Sequence, residues 1–545
     1  MRKMKKLASL LLAMIMVFAM SATAFAAEDT YSITINNSKT GHTYEAYQIF
    51  TGDLSIENET KVHSNIAWGS GITDAGKSAL LQFGKEAGET PFASAAKLAE
   101  TLTDTNAVAF ANEAAKYLNT VAGTLTFSEN KYVISGLTAG YYLVKDKNDS
   151  LDGVNDSYTN YIIKVVGDAT ASPKGSIPTV VKKVQEDDKN VEGSTDGRIS
   201  NYNLGNKYND VADYNIGEAV PFKLIGTLPS NYEDYTTYKY IFHDTLSKGL
   251  EYNGDAKVYV DNGNGLVEIL KEGNFVVSTE KAENKETELT ITFADLKDVV
   301  GEGVAITKDS KIVVMYTAEL TTEAVIGLEG NENKVRLEFS NNPYADGSGD
   351  TGKTPEDKVI VLTNELDVEK IHKEQNGDAT TITKLQGAEF KLLNSAKTQA
   401  ANVVGGKFVE WVAVDKGTVL ISDDKGKFII QGLDDGTYYL EETKAPTGYN
   451  LLEAPIELTI TATTINNQTW NGTPSAALTA LSISVGDETK SGDTASGIVN
   501  IAVENNKGAI LPSTGGMGTT LFYVAGFAMM ITAAGAFVVR RRMTF

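Results

Sequence analysis

Short apolar runs alternate with turn residues along most of the chain. Clear examples are YSITI (31–35), KYVIS (131–135), KIVVMYTAEL (311–320) and KFIIQGL (427–433), each bounded by Gly, Asn, Asp or Ser. Strands of this length, separated by turn signals at short intervals, are typical of β-sandwiches. The pattern therefore predicts an all-β chain built from several sandwich domains in tandem.

One region has a different periodicity. Between Thr73 and Thr120, the Ala-rich segments ASAAKLAETL and AVAFANEAAKYLN place apolar residues three or four positions apart. This spacing puts the apolar side chains on one face of a helix. We therefore predict two or three helices inserted in the first domain, and we interpret their apolar stripe as packing rather than as a partner site.

Two polar segments divide the chain. DATASPKGSIP (168–178) contains two prolines and several small residues, and NNPYADGSGDTGKTPED (341–357) is a long polar loop followed by a new strand at ELDVEKI (365–371). Domains are separated by exposed linkers of this composition. The predicted domains are an N-terminal domain with the helical insertion, a middle sandwich and a C-terminal sandwich, at 28–173, 174–363 and 364–506.

Both termini carry targeting signals. Residues 1–26 combine a basic head, an apolar middle and a small-residue cleavage site, which is the pattern of a secretory signal peptide. At the other end, 519–539 contain no charged residue and are long enough to span a bilayer. Arg540, Arg541 and Arg542 follow, and the positive-inside rule places them in the cytoplasm.

A pentapeptide precedes the apolar span. Leu511, Pro512, Ser513, Thr514 and Gly515 resemble the Leu-Pro-x-Thr-Gly sorting signal of Gram-positive surface proteins, in the usual order of motif, apolar span and basic tail. The resemblance implies that a sortase cysteine attacks the Thr514 carbonyl and cleaves before Gly515. Thr514 is then passed to an amine. It also implies a cell-wall location on peptidoglycan, with a precursor held transiently in the membrane.

Composition narrows the range of functions. The formal net charge is −22, which disfavours nucleic acid and anionic membranes as partners. The chain has no cysteine, so a thiol enzyme is excluded and disulfides cannot stabilise this exported protein. The acidic stretch at 146–157 lacks the EF-hand spacing, and we interpret it as a solvated hairpin. We predict no metal and no cofactor.

Several strands carry a polar residue on their apolar face. Side chains two positions apart share a face of a strand, so Lys182 points with Val180 and Val184, and Asp244 points with Phe242 and Leu246. One such residue could be a strand end that reaches water. Six of them occur as lysine, acid and asparagine twice in chain order: Lys182, Asp244 and Asn341, then Lys370, Glu442 and Asn505.

Such a set has a specific chemistry. Burial lowers the pKa of a lysine and raises that of a carboxyl group, because the charged form loses its solvation. A neutral amine next to an asparagine carboxamide is a nucleophile facing an electrophile, and a protonated Asp or Glu can polarise the amide and transfer protons as ammonia leaves. The predicted product is an isopeptide bond between lysine and asparagine, which requires no oxidant.

The sequence resembles sortase-assembled major pilins of Gram-positive bacteria over essentially its whole length. YYLEETKAPTGY (438–449) matches the E-box of these proteins, and its glutamate falls on Glu442. With the flanking segments, the resemblance implies a C-terminal collagen-adhesin B-type domain and an immunoglobulin-like sandwich fold. It places an isopeptide bond between Lys370 and Asn505, formed with the help of Glu442.

The middle domain carries a second resemblance. FHDTLSKGLEY (242–252) and LEFSNNP (338–343) are similar to the middle domain of these pilins. The resemblance implies that Asp244 is the acid and that the bond joins Lys182 to Asn341, with Asn342 as the adjacent alternative. The first domain offers no comparable set, and we predict no cross-link there.

Polymerisation requires an exposed amine for the Thr514 acyl group. In these pilins it belongs to the lysine of a Tyr-Pro-Lys motif, and this chain has Ser172, Pro173 and Lys174 at the matching place, without the tyrosine. The alternative is that Lys174 is an ordinary linker lysine. If Lys174 and Thr514 join the subunits, tension passes through the middle and C-terminal domains, which are the two with predicted bonds.

The sequence thus predicts a structural shaft subunit of a covalent pilus, which is a sortase substrate rather than an enzyme. The expected partners are a sortase, identical subunits, peptidoglycan and minor pilins, and host or bacterial surface ligands are further candidates. A minor pilin or a non-polymerised wall adhesin is the alternative. A secreted wall enzyme is disfavoured, because the chain lacks a recognisable catalytic set.

Overall fold

The computed structural model describes most of the chain between the two targeting signals. The described residues are 30–57, 60–103, 105–173, 175–187, 196–199, 202–344, 350–465, 468, 470–507, 526–534, 536 and 540. The predicted signal peptide (1–26), Lys174, the sorting motif from Leu511 to Gly515 and most of the apolar span at 519–539 lie outside them. No helix among the described residues is both long and apolar enough to cross a membrane.

The first domain is formed by two β-sheets. One has the strand order β5-β6-β1-β9, and the other has the order β3-β2-β7-β8 with β4 alongside β2. Ile33, Tyr132 and Val144 belong to the core between them. The strands are β1 Tyr31–Ile35, β2 Tyr44–Glu57, β3 Thr60–Trp68, β4 Val121–Ala122, β5 Thr124–Ser128, β6 Lys131–Leu137, β7 Gly140–Asp146, β8 Asn160–Val165 and β9 Ala169–Ala171.

Three helices lie between β3 and β4. They are α1 Asp74–Leu80, α2 Ala95–Ala99 and α3 Ala107–Ala115. Thr73 and Ser94 start the first two, because each side chain accepts a backbone hydrogen bond from the first turn of its helix. Phe110 of α3 stacks on Phe50 of β2, with ring centroids 5.8 Å apart. The prediction of helices here is confirmed, and their apolar stripe packs on the sheet.

The middle of the chain forms two further sheets. Their orders are β11-β10-β13-β20-β16-β17, with β15 on β20, and β12-β23-β21-β14-β19-β18, with β22 on β21. The strands are β10 Val180–Gln185, β11 Tyr208–Asn209, β12 Val211–Asp213, β13 Ala219–Thr227, β14 Tyr240–Leu246, β15 Leu250–Tyr252, β16 Lys257–Asp261, β17 Leu266–Ile269, β18 Val276–Lys281, β19 Thr287–Phe293, β20 Lys311–Leu320, β21 Asn331–Ser340, β22 Thr351–Lys353 and β23 Asp357–Leu362.

The C-terminal strands form one continuous sheet. Its order is β25-β24-β30-β28-β27-β26-β31-β32-β33-β34, with β29 on β26 and β35 on β24. The strands are β24 Asn364–Asn376, β25 Ala379–Lys384, β26 Glu389–Leu393, β27 Gln399–Val404, β28 Lys407–Ala413, β29 Leu420–Ile421, β30 Lys427–Leu433, β31 Gly436–Lys444, β32 Ile456–Thr464, β33 Leu478–Val485, β34 Glu488–Ser491 and β35 Ile498–Glu504. The all-β prediction is confirmed.

The middle and C-terminal sheets meet at a close contact. Gly327 has a φ of +77°, a left-handed conformation that strains any residue with a Cβ atom. A Cβ atom at this position would also lie 2.4 Å from the carbonyl carbon of Ser496. Gly327 therefore allows the two backbones to approach, and Ile216 N donates a further hydrogen bond to Gly432 O across the same junction at 3.0 Å.

Candidate isopeptide sites

The C-terminal site lies between the first and last strands of its sheet. β24 and β35 pair in parallel, with Lys370 opposite Val503. Asn505 follows the end of β35, where its N–H donates to Ile371 O at 3.0 Å. Glu442 reaches the same point from β31. Lys370, Glu442 and Asn505 are all buried. The strand pairing thus brings together the three residues that the sequence predicted.

Their side chains are in direct contact. The Lys370 Nζ atom touches the Asn505 Oδ1 atom and lies 3.1 Å from Glu442 Oε1. Asn505 Nδ2 donates to Glu442 Oε1 and Oε2 at 3.0 and 3.1 Å. Glu442 therefore contacts both the amine and the amide nitrogen, which is the position required of a group that transfers a proton from one to the other.

Burial changes the pKa of the Lys370 amine. Loss of solvation lowers the pKa of Lys370, although the nearby Glu442 carboxylate opposes the shift. The ammonium group also lies 5.4 Å from the centroid of the Phe390 ring. Asn505 is held in place by donating to Asn450 O at 2.9 Å. The site combines a nucleophile that is easily deprotonated with a fixed carboxamide.

The middle site has the predicted lysine and acid. Lys182 on β10 and Asp244 on β14 are fully buried, and Nζ lies 2.6 and 2.8 Å from the two carboxylate oxygens. Burial lowers the pKa of Lys182 to about 8, against the attraction of Asp244. Burial also raises the pKa of Asp244. Both shifts favour the neutral amine and the protonated acid that the condensation needs.

The predicted asparagine is wrong for this site. Asn341 donates its amide Nδ2 to Leu151 O of the first domain at 2.9 Å. Asp244 pairs with Val335 on the neighbouring strand. At about 3.4 Å per residue, Asn341 lies six positions, or about 20 Å, further along β21. The structure therefore places Asn341 at the contact with the first domain and away from Lys182.

Asn333 lies next to the middle site instead. It precedes Val335 by two residues on the same buried face of β21. Its Nδ2 donates to the Tyr316 hydroxyl at 2.7 Å, and that hydroxyl donates to Asp244 Oδ2 at 2.5 Å and accepts from Lys182 Nζ at 3.0 Å. Asn333 Oδ1 is buried and makes no hydrogen bond within the described part of the chain.

The first domain has a different buried cluster. His42 Nδ1 lies 2.7 Å from Asp146 Oδ1, and His42 Nε2 lies 3.1 Å from Asp156 Oδ2. Burial opposes protonation, but the two carboxylates outweigh it and raise the pKa of His42 to about 9. Both acids come from the stretch that was interpreted as a solvated hairpin. That interpretation is wrong for Asp146 and Asp156, because they are buried against His42.

Acidic side chains also gather at the junction of the middle and C-terminal sheets. Asp213, Asp434 and Asp435 have ligand atoms within 4.8 Å of one another, as do Asp187, Glu218 and Asp434. Burial, with repulsion from Asp213, raises the pKa of Asp434 well above its usual range. Acidic groups often cluster without an ion, so we assign no metal here.

Comparisons with known proteins match this architecture. Residues 216–343 match the Gram-positive pilin backbone subunit 2, Cna-B-like domain, and residues 370–474 match the SpaA prealbumin-like fold domain. The trypsin-resistant surface T6 protein of Streptococcus pyogenes serotype M6 is 24% identical over 584 residues, which cover 95% of this chain and 96% of that protein. The resemblance to Gram-positive backbone pilins is confirmed.

Two solved pilin structures are similar to this chain. The T6 backbone pilin of serotype M6 Streptococcus pyogenes has a TM-score of 0.50 and 17% identity, covering 89% of this chain and 100% of that one. The full-length major pilin SpaD from Corynebacterium diphtheriae has a TM-score of 0.46 and 17% identity, covering 89% and 99%. The likeness to the T6 pilin supports a tandem arrangement of β-domains.

Proposed function

We propose that this protein is the shaft subunit of a covalently polymerised pilus on the surface of a Gram-positive bacterium. The observation that carries the proposal is the buried contact of Lys370, Glu442 and Asn505 between the first and last strands of the C-terminal sheet. Similarity to a backbone pilin over 95% of the chain supports the same role. A fibre subunit needs such a bond because it must transmit tension without unfolding.

The chemistry at this site is a condensation. The Glu442 carboxylate takes a proton from the Lys370 ammonium, and the neutral amine attacks Cγ of Asn505. The protonated Glu442 then gives its proton to the leaving nitrogen. A new C–N bond forms, the old amide C–N bond breaks and ammonia leaves, while Glu442 takes the second proton from the attacking nitrogen. Close placement in a buried site supplies the effective concentration that this slow reaction needs.

The middle domain forms an equivalent bond in this proposal, between Lys182 and Asn333. Asp244 serves as the acid, and the Tyr316 hydroxyl holds the Asn333 amide nitrogen close to it. Asn333 Oδ1 is the unsatisfied acceptor that the protonated Asp244 or the Lys182 ammonium would polarise. This assignment replaces the predicted bond to Asn341 and keeps the predicted lysine and acid.

Assembly follows from the targeting signals. The signal peptide exports the chain, and the apolar span at 519–539 with its basic tail holds the precursor in the membrane. A sortase cleaves between Thr514 and Gly515 and joins Thr514 to Lys174 of the next subunit, or to peptidoglycan at the base. Minor pilins complete the fibre, and the predicted domain boundaries at 173 and 363 stand as part of this proposal.

The test is a gel of wall extracts in sodium dodecyl sulfate. The wild-type protein should give a high-mass ladder, and Lys174→Ala should give only the wall-linked monomer. Lys147→Ala is the matched control, because Lys147 is an exposed lysine of the first domain, and it should leave the ladder intact. A single wild-type band would indicate a minor pilin or adhesin, and a ladder in Lys174→Ala would exclude Lys174 as the acceptor.

A further inference from the structure

A second buried lysine lies beside Lys182, on the other face of the same strand. Lys183 is fully buried, although alternation along β10 points it away from the sandwich core. An additional layer covers this outer face: Ile199, Leu204 and the partly buried Tyr202 pack over Val181 of β10. These three residues lie in the chain between β10 and β11, and β11 pairs with β10.

Two carboxyl groups surround the Lys183 amine. Nζ lies 2.6 Å from Asp210 Oδ1 and 2.8 Å from Asp196 Oδ2. Arg198 holds Asp196 from the other side, with Nη2 at 2.7 Å from Oδ2 and Nε at 3.0 Å from Oδ1. The Lys183 amine is therefore enclosed between two carboxyl groups. Arg198 also holds that of Asp196, but not that of Asp210.

The two carboxyl groups differ in their readiness to lose a proton. Burial is the largest influence on Asp210 and raises its pKa, despite the attraction of Lys183. Burial acts in the same direction on Asp196, but hydrogen bonds from Arg198 and Lys183 outweigh it and hold the pKa of Asp196 well below its usual range. Neighbouring acids whose pKa values are driven apart are the usual arrangement of an acid and a base in one site.

We propose that Lys183 and Asp210 condense into a third isopeptide bond, on the outer face of the middle domain. The Asp196 carboxylate takes a proton from the Lys183 ammonium, and the neutral amine attacks Cγ of the protonated Asp210. One C–N bond forms and one C–O bond breaks. The first proton leaves Asp196 with the hydroxyl as water, and Asp196 then takes the second proton from the attacking nitrogen. No oxidant or cofactor is needed.

The bond would fix the covering layer to the sheet. It closes the chain from residue 183 to residue 210 into a loop, so the covering segment could no longer peel from β10 when the fibre is pulled. Closing a loop lowers the entropy of the unfolded chain. This role adds to the two proposed lysine–asparagine bonds and does not depend on either of them.

Lys223 provides an internal comparison. It is opposite Lys183 on β13 and is also buried, but its Nζ donates to the Leu204 carbonyl at 2.7 Å and lies 3.8 Å from the centroid of the Tyr208 ring. A backbone carbonyl is a poor electrophile, so Lys223 should remain a free amine. Comparing Lys183 with Lys223 therefore separates the effect of burial from the effect of a carboxyl partner.

Peptide mapping of the full-length protein tests the proposal. We expect a cross-linked pair of peptides containing Lys183 and Asp210, lighter than their sum by one water, about 18 Da, whereas a lysine–asparagine bond removes ammonia, about 17 Da. Fragmentation must separate Lys183 from Lys182. Trypsin should not cleave after Lys183 in most molecules. Recovery of unlinked Lys183 peptides throughout the wild-type sample would overturn the proposal.

Variants sharpen the result. Asp196→Asn keeps the shape of the side chain but removes the base, so it should abolish the water loss while the ammonia loss in the middle domain persists. Lys223→Met should leave both mass losses unchanged. If the water loss survives Asp196→Asn, Asp196 is not the base. If the wild-type protein shows ammonia losses alone, the proposed function stands and only the third bond fails.

Discussion

The first domain and the C-terminal domain stabilise buried charge in different ways. In the first, a histidine lies between Asp146 and Asp156. In the C-terminal domain, a lysine lies between Glu442 and the carboxamide of Asn505. The carboxylates around His42 are poor electrophiles, so that cluster can only remain an ion pair. The amide next to Lys370 is an electrophile, and in our proposal the same burial leads there to a covalent bond.

The difference follows the proposed path of tension. Load that enters at Lys174 and leaves at Thr514 passes through the middle and C-terminal domains, and the first domain stays outside it. Ion pairs depend on pH and yield under force, whereas an isopeptide bond is permanent. The comparison teaches that a buried charge cluster becomes a permanent link only where an electrophile completes it.

Removing the acid from the C-terminal site should have the largest effect on the stability of the protein. We expect Glu442→Ala to prevent the bond, so that the deficit of the intact mass from the formula mass of the variant shrinks by one ammonia, about 17 Da. The free energy of unfolding should fall by about 3 to 5 kcal/mol, because the cross-link is lost and Lys370 stays buried without its partner. Mass spectrometry and thermal unfolding measure both. Glu441→Ala, on the opposite face of β31, should change neither.

Removing the asparagine from the middle site should have the next largest effect on stability. Asn333→Ala should remove one ammonia loss from the mass and lower the melting temperature of the middle domain by about 10 °C. Asn341→Ala should keep the full mass deficit. If Asn341→Ala, rather than Asn333→Ala, restores the missing ammonia, the assignment from the structure is wrong and the sequence-based one is correct.

The histidine cluster should respond to pH, unlike the covalent sites. The pKa of His42 is raised from 6.5 to about 9 in the folded protein. Its contribution is therefore fully present below about pH 6.5 and is lost as the pH rises through about 9. Calorimetry between pH 6 and pH 10 should show the first domain losing stability, by at most about 3 kcal/mol, while the cross-linked domains change little.

A variant isolates this effect. His42→Gln should flatten the alkaline decline of the first domain, because the titrating group is gone. His243→Gln is the matched control, since His243 also lies between two carboxylates, Glu288 and Glu338, but in the middle domain. An unchanged alkaline decline in His42→Gln would assign the titration to another group.

The smallest effect concerns the contact between the first and middle domains. Asn341 donates its amide to Leu151 O, and Tyr158 N donates to Asn341 O at 2.8 Å. Asn341→Ala should cost about 1 kcal/mol, the usual value of a hydrogen bond. The first and middle domains should then unfold at more separate temperatures. Asn342→Ala should change this separation less.

Strand alternation predicted much of this architecture. The runs at 31–35, 311–320 and 427–433 coincide with β1, β20 and β30, because two-residue periodicity marks the buried face directly. The C-terminal set was also predictable, since Lys370, Glu442 and Asn505 each continue the apolar face of a strand, and the E-box marks Glu442.

The register between paired strands could not be predicted in the same way. Asn331, Asn333 and Asn341 share one face of the same segment, and alternation does not distinguish among them. Only the pairing of Asp244 with Val335 selects Asn333. Lys183 was missed for a related reason: alternation along β10 points it away from the core, and the residues that cover this side lie between β10 and β11, where strand alternation gives no prediction.

The most direct measurement is a peptide map of the two proposed lysine–asparagine bonds in the purified protein. The account predicts linked peptides joining Lys370 to Asn505 and Lys182 to Asn333, each lighter than its parts by one ammonia, about 17 Da. Free Lys370 and Lys182 in fully folded protein, with the complete formula mass, would show that these buried contacts never react and would contradict the account.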